Sequence, residues 1–108
     1  MVSTSFTSID QDLVKRCRAA ARDRKLKLWQ WYVEAMAGLV ELQRRGARVH
    51  WPATRRNGGR PYNVRLPHET VETIRQTATQ HGISRTTVFL TALRLHLDPT
   101  SVPYELGH

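Results

Sequence analysis

The chain reads as a mainly α fold with a small two-stranded β element, one strand-helix-helix unit used twice. Three observations predict it. First, 108 residues are enough for one compact core and too few for two independent ones. Second, the N-terminal part superposes on the C-terminal part without gaps at an offset of 57 residues, and a fixed offset is the mark of an internal repeat. Third, one copy alternates apolar and polar residues and then switches to helical spacing.

The register of the repeat is apolar on apolar. It sets Ile9 on Leu66, Val14 on Val71, Cys17 on Ile74 and Ala21 on Ala78. Further along it sets Leu26 on Ile83, Trp31 on Val88, Tyr32 on Phe89, Ala35 on Ala92, Met36 on Leu93 and Val40 on Leu97. The chain therefore divides into a first repeat over 3–42, a linker over 43–60, a second repeat over 61–97 and a tail over 98–108, all in a single domain.

In the first repeat a strand is expected around Ser3 to Ile9. Phe6 and Ile9 cannot both point inward from one regular strand without a bulge, so its parity is open. Asp10 can cap a helix whose face is Leu13, Val14, Cys17, Ala20 and Ala21. A second helix runs from about Leu28 to Arg44. Lys25 and Lys27 stand where the other copy has Gly82 and Ser84. Trp29, Trp31 and Tyr32 on this helix are expected to pack rather than to stack on bases.

The linker, QRRGARVHWPATRRNGGR, holds six bases and no acid, and its glycines and proline predict a loop. Trp51 is expected to pack back on the domain.

In the second repeat Tyr62, Val64 and Leu66 alternate with Asn63 and Arg65, the pattern of a strand with one buried face. Pro67 stops it and suits the first turn of a helix, which Val71, Ile74 and Ala78 continue to His81. Gly82 fits a left-handed C-terminal cap and Ser84 an N-cap. The helix from Arg85 to about Leu97 is apolar nearly all round and must be buried on several sides. A copy of about 40 residues cannot bury such a helix alone, and a lone strand leaves an open edge, so the two copies must combine.

Charge points to the partner. Lys and Arg outnumber Asp and Glu by 17 to 9, for a net +8, and most of the excess falls in residues 43–60. A polyanion is the expected ligand. A single cysteine, Cys17, forms no intrachain disulfide and fits an inert core thiol in a reducing compartment, so the cytoplasm is the expected location. No secretion signal and no membrane span are expected. The five histidines show no paired ligand spacing. Nucleophile, paired-carboxylate and phosphate-loop motifs do not occur in the sequence, so neither metal, cofactor nor catalysis is expected.

The strand YNVRLPHE, with its order of aromatic, Asn, aliphatic, Arg, apolar, Pro, any, Glu, and the following GISRTTVFLTAL resemble the ribbon-helix-helix family of DNA-binding proteins, of the Arc and MetJ kind. The likeness covers residues 61–97 well and 3–42 weakly. Tandem copies in one chain are similar to the conjugation accessory proteins of the TraY type and of the Ti-plasmid virC-encoded type.

The resemblance implies a pseudo-dimer with an antiparallel β-ribbon that enters the major groove of double-stranded DNA. Such a protein acts as a transcriptional repressor or as a plasmid transfer or partition accessory factor. Its further partners would be other DNA-bound copies, a relaxase or a partition protein.

On that footing Asn63 and Arg65 read bases, the amide on adenine and the guanidinium on guanine. From the first strand Ser5 and Thr7 face DNA if Phe6 is core, and Thr4 and Ser8 if Ile9 sets the parity. Phosphate contacts are expected from Ser84, Arg85 and Thr86 at one helix start, from Lys25 and Lys27 at the other, and from Arg55 and Arg56 in the linker. The rival reading is an antitoxin or other protein-interaction module with secondary DNA binding. RNA binding is a third, without a recognisable RNA module to support it.

Overall fold

The computed structural model of the chain describes residues 1–7, 9–52 and 61–106. Among these, eight elements follow in the order β1 (Val2–Phe6), α1 (Gln11–Asp23), α2 (Leu28–Arg44), β2 (Ala47–Val49), β3 (Tyr62–Leu66), α3 (His68–His81), α4 (Arg85–Leu97) and β4 (Tyr104–Leu106). The fold is mainly helical, with two small antiparallel two-stranded sheets, one of β1 and β3 and the other of β2 and β4.

Local chemistry explains the helix boundaries. The Asp10 side chain accepts the N–H of Asp12 at 2.9 Å and so caps α1. Pro67, with φ −54°, stands before α3, and Gly82, at φ 64°, closes it in the left-handed region that glycine enters at no steric cost. Ser84 caps α4 by accepting the N–H of Thr87 at 3.1 Å.

At the matching turn between α1 and α2, Lys25 takes φ 56° and Lys27 the extended N-cap conformation. The backbone thus repeats the Gly82 to Ser84 path although the residue types differ. Here the Gln30 side chain accepts the Lys27 N–H at 2.9 Å, in place of a hydroxyl cap.

The helix starts lie 57 residues apart, Gln11 against His68 and Leu28 against Arg85, but the strands lie 60 apart, Val2 against Tyr62. The gapless superposition therefore fails in the strand. β1 ends at Phe6 and not near Ile9, and three more residues separate strand from helix in the first half than in the second. Ile9 is 5% exposed and reaches the core from that connection, so no bulge is needed to bury both Phe6 and Ile9.

The basic segment also departs from a simple loop. α2 runs on to Arg44, and residues 47–49 form β2, paired with β4 in the segment read as a tail. Arg48 lies opposite Glu105. Val102, just before β4, is buried. Trp51 packs partly buried against the core, its ring 5.2 Å from that of His81.

One core joins all of this. Trp31, Tyr32, Ala35, Met36 and Leu39 of α2 face Val88, Phe89, Ala92 and Leu93 of α4, with Phe6, Leu66, Cys17 and Ile74 around them. Phe6 lies flat on Phe89, and Tyr32 meets Phe89 edge-on at 5.0 Å. The Tyr32 and Tyr62 hydroxyls share a hydrogen bond of 2.9 Å. Thr91, fully buried, donates its hydroxyl to the Thr87 carbonyl at 2.7 Å, so its burial leaves no polar atom unpaired.

Candidate nucleic-acid interface

The outward face of the β1–β3 ribbon follows from its register. Val2 pairs with Leu66, Ser3 with Arg65, Thr4 with Val64, Ser5 with Asn63 and Phe6 with Tyr62. Side chains alternate across a strand. Thr4, Phe6 and Leu66 are buried, while Ser3, Ser5, Asn63 and Arg65 are exposed. The first-strand parity is thus the one set by Phe6, and Ser5, Asn63 and Arg65 share one face as expected.

Ser3 is the fourth member of that face and the sequence reading passed over it. Superposing Ile9 on Leu66 shifted the first strand by three residues and hid the pairing of Ser3 with Arg65.

Thr7 is placed differently from the expectation. It lies beyond the end of β1, its N–H donates to Thr86 Oγ1 at 3.1 Å, and the two hydroxyls are 3.2 Å apart. Thr86 in turn is 7% exposed. Its hydroxyl is engaged with Thr7, so the Thr86 side chain ties the ribbon to the helix.

Ser84 and Arg85 remain exposed at the start of α4. The Ser84 cap takes the Thr87 N–H, which leaves the N–H groups of Arg85 and Thr86 at the positive end of the helix dipole without a partner among the described residues. The Thr7–Thr86 bond brings this helix end to the end of β1. Lys25 and Lys27, both exposed, stand at the start of α2, where the N–H groups of Leu28 and Trp29 are likewise unpaired among the described residues. Arg55, Arg56 and Ser8 lie outside the described residues.

The remaining conspicuous residues pack. Trp31 and Tyr32 are buried and Trp29 is partly so. Cys17 is fully buried, and burial pushes its thiol up to about 12, against which nearby Arg16 pulls only weakly. Burial, reinforced by the hydrogen bond to Tyr62, raises the Tyr32 hydroxyl well above the ordinary tyrosine value. Among the described residues no cluster of His, Cys, Asp and Glu could hold a metal ion, and no helix is long and apolar enough to cross a membrane.

What the face can do chemically is set by four side chains: one guanidinium, one amide and two hydroxyls, carried on a ribbon braced from behind by Phe6 and Leu66. No family model matches the chain, and neither a curated protein nor a solved structure matches it.

Proposed function

We propose that the chain binds double-stranded DNA sequence-specifically by laying the β1–β3 ribbon in the major groove, as a repressor or as a plasmid transfer or partition accessory factor. The observation that carries the reading is the ribbon register. It puts Ser3, Ser5, Asn63 and Arg65 together on one exposed face, and a groove about 12 Å wide admits a two-stranded ribbon.

The two halves act as a dimer fused into one chain. Three features support this. The pairing of Val2 with Leu66 and Phe6 with Tyr62 is symmetric about the Thr4–Val64 pair. Tyr32 and Phe89, 57 positions apart, meet ring to ring across the middle of the molecule. The left-handed residue before each second helix, Lys25 or Gly82, recurs at the same spacing. An isologous contact of this kind brings equivalent positions onto each other.

Arg65 forks onto guanine and Asn63 onto adenine, while Ser3 and Ser5 supply shorter hydroxyl contacts. The open helix starts at Arg85 and at Lys27 face phosphates. Binding of the full chain to a labelled mixed-sequence duplex across a salt series tests the reading. With roughly six phosphates neutralised, log K falls against log salt with a slope of about −5. No duplex binding at low salt, or a slope near zero, would refute it.

A further inference from the structure

We propose that an exposed basic stripe on α1, made of Lys15, Arg18 and Arg22 and continued by Lys25, holds the phosphate backbone of the same duplex beyond the groove filled by the ribbon, on one flank only. The inference rests on the DNA-binding reading above and adds to it the path of the flanking duplex.

The stripe is a geometric consequence of spacing. Positions 15, 18 and 22 recur at three and four residues and so share one face of a helix. All three, and Lys25 after them, are exposed. The buried face of α1 is Leu13, Val14, Cys17 and Ala21, and the basic side chains lie outside it. Among the described residues no carboxylate lies within ion-pair distance of any of the four. Asp12, three residues before Lys15, flanks the stripe at its start without pairing with it, and Asp23 sits about 80° round the helix from Lys15.

The other half lacks the stripe. Because α3 begins 57 residues after α1, the matching positions are Glu72, Arg75, Thr79 and Gly82. Glu72 and Arg75 neutralise each other, with Arg75 Nε donating to Glu72 Oε1 at 3.0 Å. Four positive charges on one side therefore match a net charge of zero on the other. From Lys15 to Arg22 the helix rises about 10 Å, which spans about three phosphates at about 3.4 Å each along one strand. In the chain the stripe is followed by Lys25 and Lys27 before α2, exposed as well and already proposed as a phosphate contact. A duplex is the occupant that matches an extended, regularly spaced row of unpaired cations.

The test uses the full chain and three duplexes sharing its selected site. One ends at the ribbon contacts, and the others are lengthened by about one helical turn on either flank. Lengthening one flank should tighten binding by about tenfold at low salt and lengthening the other should leave it unchanged. Lys15→Glu with Arg22→Thr, which copies α3 into α1, should abolish that gain and lower the salt slope by about 2. It should leave the melting midpoint and binding to the minimal duplex essentially intact.

An equal gain on both flanks, no gain, a gain that the double variant keeps, or an equal loss on the minimal duplex would overturn the inference while leaving the ribbon reading standing. Failure of the unaltered chain to bind any of the three would overturn the DNA reading itself.

Discussion

Phe6, on the first strand, lies flat against Phe89, on the last helix, with ring centroids 4.2 Å apart and planes within 2° of parallel. Each half of the chain thus covers the core of the other. Residues 1–45 and 60–108 made separately should be poorly folded and should gain helix when mixed, read by circular dichroism. Phe89→Ala should cost about 3–5 kcal/mol, a large share of the stability of a domain this size. Two fragments that melt cooperatively on their own would contradict the shared core.

The tie between Thr7 and Thr86 gives a smaller, local effect. Thr86→Val keeps the shape and removes the acceptor at 3.1 Å, so it should cost about 1 kcal/mol. Amide exchange at Thr7 should rise more than at Val64, because only the ribbon end is released. Equal protection at Thr7 in both proteins would show that the bond is not formed.

Lys25 and Gly82 should respond in opposite directions, since both hold positive φ, 56° and 64°. Gly82→Ala forces a side chain into the left-handed region and should destabilise by about 1 kcal/mol, whereas Lys25→Gly should stabilise by up to about 1 kcal/mol. Lys25→Gly should at the same time weaken DNA binding. Denaturant midpoints and a binding titration on the same two variants separate fold from interface.

Alkaline pH should unfold the protein through Cys17 and Tyr32. The Cys17 thiol stands at about 12 against an ordinary 9.0, and the Tyr32 hydroxyl is raised as well. Both are neutral in the folded state while the unfolded chain ionises them. Their contribution is therefore complete below about pH 9 and is lost as pH rises toward 12. Cys17→Ala should flatten part of that fall. At pH 8 Cys17 should resist thiol reagents until the chain is unfolded.

Much of this fold is legible in the residues. The helix starts fall where Asp10, Pro67 and Ser84 predict them, and the 57-residue spacing places all four helices. The strand of the second copy, Tyr62–Leu66, is legible in its alternation, but the end of the first is not, because Phe6 and Ile9 are both apolar and a gapless register cannot distinguish a strand residue from a core-filling residue in the following connection. β2 and β4 escape for another reason. Three-residue strands carry almost no alternation, and theirs depends on a partner far along the chain, which single-segment patterns do not encode. Within the candidate site Asn63 and Arg65 were readable from alternation alone. Ser3 needed the register, and the engagement of Thr7 with Thr86 needed the packing of β1 against α4.

On the proposed function, the outward ribbon face should read bases unequally. Ser3 and Ser5 oppose Arg65 and Asn63, so the two strands present different chemistry on the outward face. Selection of bound sequences from a random duplex pool, run in parallel with the unaltered chain and with Arg65→Ala, tests this most directly. The unaltered chain should return an asymmetric consensus containing a guanine whose preference, worth about 1–3 kcal/mol, disappears in Arg65→Ala. A perfectly palindromic consensus, or one that Arg65→Ala leaves unchanged, would contradict the account.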